Sequence, residues 1–161
     1  RFFTVYGPLG RPDMAYFKFT KAILNGDSID VYNNGEMKRD FTYIDDIIEG
    51  VTKLMTSIPL PQANVFSDVS PPYRVYNIGN NSPVKLMDFI QAIENSLDIS
   101  IEKNMLPIQP GDVPQTFANV DDLIETLGYA PETSFQDGIT KFVEWYLDFF
   151  GIDKERTEND E

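Results

Sequence analysis

The 161 residues include no cysteine and no histidine. The first absence removes disulfides, thiolate nucleophiles and Cys-built metal sites; the second removes imidazole acid–base schemes and His–carboxylate zinc sites. Positive charge is scarce too, with 13 Lys and Arg against 26 Asp and Glu and a net charge of -13. So acidic a chain repels a phosphate backbone at long range, which argues against nucleic acid as a partner. No apolar run approaches the roughly 18 residues that span a membrane, and a cytoplasmic protein with no membrane partner is expected. No glycine is followed by Lys and then Ser or Thr, so the Walker phosphate loop is missing. Gly7 and Gly10 are spaced G-x-x-G, but the third glycine position of a dinucleotide turn holds Asp13. None of the eight tyrosines has a lysine four residues later, the pairing that lowers a phenol pKa for proton transfer. Any chemistry falls to Asp, Glu, Lys, Arg, Tyr, Ser or Thr.

What is present suits one mixed α/β unit. Apolar residues make up 42% and aromatics 13%, enough for a core. Residues 1–8 read as a strand running into a Gly-Pro turn, and a chain opening in mid-strand is expected to be a piece of a longer one. Asp13 is placed to cap a helix through about Leu24, stopped by Asn25-Gly26. Ile29–Tyr32, the turn Asn33-Asn34-Gly35-Glu36 and Met37–Thr42 together predict a hairpin. Asp45 and Asp46 open a helix bearing Ile47, Ile48, Val51, Leu54 and Met55 at helical spacing. A loop rich in Pro and Ser covers 58–73. Val75–Gly79 is strand-like, Ser82-Pro83 precedes a helix from Val84 to about Leu97, and Ile99–Met105 is a further strand. Helices at Asp121–Leu127 and Phe135–Phe150 close the chain around a Gly128 cap.

The acidic pairs Asp45-Asp46 and Asp121-Asp122 are adjacent in sequence and do not face each other on a helix, so capping and dipole complementarity explain them better than acid–base catalysis. Glu94 near Asp98 is the remaining pair, and no EF-hand loop exists. The arginines are more informative because they are few. Arg11 follows a Gly-Pro-Leu-Gly turn, Arg39 lies in Lys38-Arg39-Asp40-Phe41, and Arg74 ends a Pro-rich loop. Each can grip a carboxylate or phosphate with its planar fork, or pair with one of the many surface acids. Tyr32 beside a turn can stack on a base or join the core. Gly111-Asp112 offers a turn with an acceptor suited to ribose hydroxyls, or a plain loop.

Seven words in order carry a family resemblance: Arg1-Phe-Phe-Thr-Val-Tyr-Gly-Pro8, Gly10-Arg-Pro-Asp-Met-Ala15, Arg39-Asp-Phe-Thr-Tyr-Ile-Asp-Asp46, Tyr76-Asn-Ile-Gly79, Gln109-Pro-Gly-Asp-Val-Pro114, Leu127-Gly-Tyr129 and Phe142-Val-x-Trp-Tyr146. Together they resemble the extended short-chain dehydrogenase/reductase family, and the second word points to its UDP-glucuronate 4-epimerase branch. The fold class implied is α/β, the carboxyl-terminal substrate-binding part of such a protein without its amino-terminal Rossmann domain. Residues 1–152 would form the sugar-nucleotide-binding domain and 153–161 a charged, frayed tail. The activity implied for the parent protein interconverts UDP-glucuronate and UDP-galacturonate at C4 through a 4-keto intermediate, with NAD bound mainly by the missing Rossmann half. The parent is expected to be a homodimer, and this chain alone to be inactive and to aggregate or self-associate.

The resemblance assigns Phe3 and Val5 to the nicotinamide and Thr4 and Arg11 to the sugar's carboxylate. Lys18 and Arg39 fall to the phosphates, Val31 and Tyr32 to the uracil, and Asp112 to the ribose. Gln109 stands where galactose epimerases place an arginine, and Leu9 where the family often has tryptophan. Two alternatives stay open: another family member, such as a UDP-glucose 4-epimerase or a dTDP-glucose 4,6-dehydratase, and a non-catalytic UDP-sugar-binding or interaction module.

Overall fold

A computed structural model of the chain describes residues 1–59 and 72–153. The strands are only two or three residues long and pair in twos, so helices carry most of the packing. In chain order the elements are β1 (Thr4–Tyr6), α1 (Ala15–Asn25), β2 (Ile29–Val31), β3 (Lys38–Arg39), β4 (Phe41–Tyr43), α2 (Ile44–Thr56), β5 (Val84–Lys85), α3 (Leu86–Leu97), β6 (Lys103–Met105), α4 (Asp121–Leu127) and α5 (Phe135–Phe150). β1 runs parallel to β4 with Thr4 opposite Phe41, β2 parallel to β6, and β3 antiparallel to β5. A lone bridge joins Phe2 to Ile78. No helix among the described residues is long and apolar enough to cross a membrane.

Aromatic rings fill the space between β1, β4 and the three longest amphipathic helices on that side. Tyr6, Tyr16, Phe41, Phe89 and Phe142 are all buried in one cluster with Ile93, Leu97 and Ile139. Phe41 stacks on Phe89 at 4.8 Å, and Tyr16 meets Phe142 edge-on at 4.9 Å. Each fully buried side chain of this size contributes about 1.5–3 kcal/mol, before the penalty of a cavity on truncation. Gly138 on α5 is required here, because a Cβ would collide with the Tyr6 hydroxyl. The opposite face of the β1–β4 pair meets a second cluster, in which Ile47 of α2 and Leu123 of α4 pack with Ile78 and Tyr129. The single tryptophan, Trp145, lies half-buried on α5, its ring 5.8 Å from Phe142 and 5.1 Å from Phe149.

Three buried carboxylates, Asp40, Glu94 and Asp46, replace ladder hydrogen bonds as ties between segments. Asp40, with no exposed surface, accepts from the backbone N–H groups of Asn80, Asn81 and Ala118 at 2.8–3.1 Å, while its own N–H donates to Thr116 Oγ1. Glu94 on α3 accepts from Ile101 N–H at 2.9 Å and from the Lys103 ammonium at 2.6 Å, fastening the helix to β6. At the start of α2, Asp46 accepts from the Glu132 and Thr133 amides, so it anchors a loop as well as lying in the helix's first turn.

Several expectations from the sequence give way to tertiary pairing. Met37–Thr42 does not return along β2. Asn33 and Asn34 both take left-handed backbone (φ 51° and 49°), the chain leaves that plane, and the Val31 carbonyl is taken by Leu106 N–H. Asp13 does not cap α1, because Arg11 holds its carboxylate, and Met14 is the cap residue, without a side-chain bond. Val84 and Lys85 are extended against β3, so α3 starts at Leu86, where the N–H bonds Met37 O. Ile99 and Ile101 give their N–H groups to Glu94, leaving a strand of only 103–105. Val75–Gly79 shortens to the bridge at Ile78, and Ile48 and Met55 of α2 are exposed. The two closing helices and the Gly128 cap are as read from the sequence. Most of the 58–73 loop and of the charged tail lies outside the described residues.

Asp40→Asn keeps shape and volume but turns an NH2 toward backbone donors. It should destabilise the fold by about 2–4 kcal/mol, read as a lowered denaturation midpoint with unchanged slope; a loss under about 0.5 kcal/mol would remove Asp40 from its role. Burial pushes the Tyr6 and Tyr129 phenols well above their ordinary pKa of 10.0. The folded chain therefore keeps both protons where the unfolded chain loses them, so this stability is complete below about pH 10 and drains away as pH rises above it. Alkaline unfolding of Tyr6→Phe should be less steep, by up to about 1.4 kcal/mol per pH unit. An identical slope would show that Tyr6 takes no part.

Candidate functional site

β1 delivers the chain into a loop, residues 7–11, that walls a cavity of about 620 Å³. Phe3 lines it just ahead of the strand, Thr4 and Val5 from the strand, Leu9 and Arg11 from the loop, and Tyr16 and Thr116 from beyond. Gly7 is needed at φ 139°, where a side chain would strike Ile44, and Gly10 lies against the Tyr16 hydroxyl with no room for a Cβ. Leu9 is held at φ 58° and is 79% exposed at the mouth, a left-handed backbone that a leucine rarely adopts. The loop closes on itself through Gly10 N–H to Gly7 O and Met14 N–H to Arg11 O, both 3.2 Å. Arg11 pairs with Asp13 through two bonds, and that hydrogen bonding raises the guanidinium's pKa and holds the Asp13 carboxyl below its usual range. Burial raises the Tyr16 phenol, so it remains neutral.

A second cavity of about 230 Å³ lies between α1, β2, β3 and β5. Its walls are Phe19, Met37, Phe41 and Leu86, and its polar groups are Asp30, Tyr32, Arg39 and Asp112. Among the described residues Arg39 bonds only its neighbour's carbonyl, Lys38 O at 2.9 Å, and makes no ion pair. Asp112 is carried on a turn, its N–H bonded to Gln109 O with Gly111 at φ 91°. The two cavities adjoin where Thr4, lining the first, pairs with Phe41, lining the second. Segment 114–116 bridges them along β3 through Lys38 N–H to Pro114 O and Thr116 N–H to Lys38 O.

The fold thus brings Phe3, Thr4, Val5 and Arg11 into one cavity and Tyr32, Arg39 and Asp112 into its neighbour. Three expected residues lie outside both linings. Val31 has no exposed surface and packs with Ile29 and Ile90, and Lys18 and Gln109 are exposed to solvent. Sequence reading passed over Asp30, whose signal was its alternation with buried Ile29 and Val31, and Thr116, for which no local signal exists. One cavity has an arginine fork and a hydroxyl over apolar walls, suited to a carboxylate on a ring. The other has in Arg39 a cation with no ion pair among the described residues, two carboxylates that accept from hydroxyl or N–H donors, and aromatic walls for a flat ring.

Residues 1–79 match the model of the NAD dependent epimerase/dehydratase family. The chain is 57% identical over 157 residues to Protein CapI of Staphylococcus aureus, covering 93% of this chain and 47% of that protein. It is 47% identical over 153 residues to a probable UDP-glucuronate 4-epimerase of Rhizobium meliloti, covering 91% and 45%. Its fold superposes on the crystal structure of UDP-glucuronic acid 4-epimerase from Bacillus cereus in complex with UDP-glucuronic acid and NAD, with TM-score 0.78 and 32% identity over 92% of this chain and 44% of that one. The chain spans about half the length of the curated relatives it matches. The α/β architecture is that of part of an extended short-chain dehydrogenase/reductase epimerase, and the chain belongs to the NAD dependent epimerase/dehydratase family.

Proposed function

We propose that this chain is the sugar-nucleotide-binding part of an NAD-dependent 4-epimerase that interconverts UDP-glucuronate and UDP-galacturonate. One observation carries the reading: an arginine–hydroxyl pair, Arg11 with Thr4, stands in a cavity next to one holding Arg39, Tyr32 and Asp112. That division suits a UDP-hexuronate, with the sugar acid in one cavity and the pyrophosphate, ribose and base in the other. Arg39 holds the pyrophosphate, Asp112 accepts from the ribose hydroxyls, and Tyr32 lies along the uracil. Thr4 and Arg11 hold the C6 carboxylate, which a neutral hydroxymethyl group could not satisfy.

The residues present fit one end of NAD. Phe3 and Val5 give the first cavity an apolar wall for the flat nicotinamide, and the sequence has no glycine-rich turn for the cofactor's phosphates. Bound there, NAD supplies the reversible oxidation at C4 of the sugar. The chain's own residues orient the sugar, exclude water through apolar walls and hold the carboxylate in the bound sugar nucleotide. Since no tyrosine precedes a lysine by four residues, proton transfer at C4 belongs in this reading to the stretch of the relatives' length that the chain does not span.

In the full-length protein, Arg11→Ala should weaken UDP-glucuronate binding by about 10- to 100-fold and leave UDP binding within about twofold. Arg39→Ala should weaken UDP and UDP-glucuronate alike, by a similar factor. Titration calorimetry with both ligands checks this. If Arg11→Ala left the affinity for UDP-glucuronate unchanged, the carboxylate assignment would be wrong. If UDP-glucose bound and reacted as well as UDP-glucuronate in the wild-type protein, the substrate would be the neutral sugar nucleotide.

A further inference from the structure

Arg11 is both the residue asked to recognise the sugar acid and a 73% exposed side chain. A long side chain at that exposure samples many rotamers, and ordering it at the moment of binding costs affinity. The structure removes that freedom in two places. The backbone is held by the turns at Gly10 and Met14 and by Tyr16 lying against Gly10. The guanidinium is held across Pro12 by Asp13, with Nε donating to Oδ1 at 3.1 Å and Nη2 to Oδ2 at 2.7 Å. Met14 Sδ sits 3.7 Å from Nη2, and Nη1 has no hydrogen-bond partner among the described residues. Arg11 lines the first cavity and Asp13 does not.

We propose that Asp13 is a positioning residue for Arg11: it grips the Nε–Nη2 edge and leaves the Nη1 side of the guanidinium for the substrate's carboxylate. The inference rests on the reading that Arg11 meets a hexuronate; Asp13 itself touches no substrate. Asp13 also cancels part of the guanidinium's charge, but it is 63% exposed and its field is screened by water, so the gain from fixed geometry outweighs the lost attraction.

The test uses the full-length protein, with KM and kcat for UDP-glucuronate and the dissociation constant of UDP measured in parallel. Asp13→Ala should raise KM for UDP-glucuronate about two- to fivefold, the range an exposed pair can supply, with kcat and UDP affinity unchanged. Asp13→Asn, which keeps one acceptor for Nε, should fall between. Three results would overturn the proposal: an unchanged KM, a parallel loss of UDP affinity that marks a merely structural role, or tighter UDP-glucuronate binding that marks Asp13 as a competitor for the fork. Arg11→Ala run alongside separates two failures. If it leaves UDP-glucuronate binding intact, the hexuronate reading fails; if it weakens that binding while Asp13→Ala changes nothing, only the role of Asp13 fails.

Discussion

A buried carboxylate with no ion-pair partner among the described residues organises the candidate site. Asp40 lies between the last residue of β3 and the first of β4, and three backbone amides from segments 40 and 78 residues away converge on it. Its neighbours are Arg39, which points into the second cavity, and Phe41, which forms part of that cavity's wall. Its amide bonds Thr116, a wall of the first. Amide dipoles do what a salt bridge does elsewhere, in a place where a second charge would also have to be desolvated. The geometry of both cavities is therefore coupled to one side chain that touches neither.

How much of this was legible in the sequence follows from how local each signal is. Phe135–Phe150 is readable because Ser134 caps it, its apolar residues recur at helical spacing and Gly151 ends it in left-handed backbone. Asn33-Asn34-Gly35 reads truly as a turn, yet the hairpin it suggested does not form. Strand choice was decided at Leu106 and Lys103, some 70 residues on, and no local pattern announces that. Asp13 has the right type and place for a cap, but an arginine two residues earlier competes for the same oxygens. Asp40 and Glu94 are hidden for a different reason. An acid in a polar stretch reads as surface, and only the converging N–H donors show that it is buried. At the candidate site, the arginines could be singled out by scarcity, whereas Thr116 becomes visible only when the chain returns to β3.

The charge of the chain looks ill suited to a ligand carrying phosphates and a carboxylate. Local placement resolves this. Among the described residues Arg39 is unopposed by an ion pair, and Arg11 has its Nε–Nη2 edge committed to Asp13 and no partner at Nη1. Long-range repulsion from the acidic surface is screened within about 8–10 Å at physiological salt, while contacts in a cavity are screened much less. Scarce cations placed at two walls can therefore outweigh an acidic total, and in the proposed reading the acids nearby, Asp30 and Asp112, accept from ligand groups that donate hydrogen bonds.

Trp145 gives the molecule an optical property of practical weight. It is the only indole in the chain, it meets two phenylalanines of α5 at tilted angles, and it lines neither cavity of the candidate site. Its emission should follow the integrity of the aromatic core and remain indifferent to a sugar nucleotide. A shift seen on adding ligand would then report a rearrangement of the helical layer, carried some distance from the point of contact.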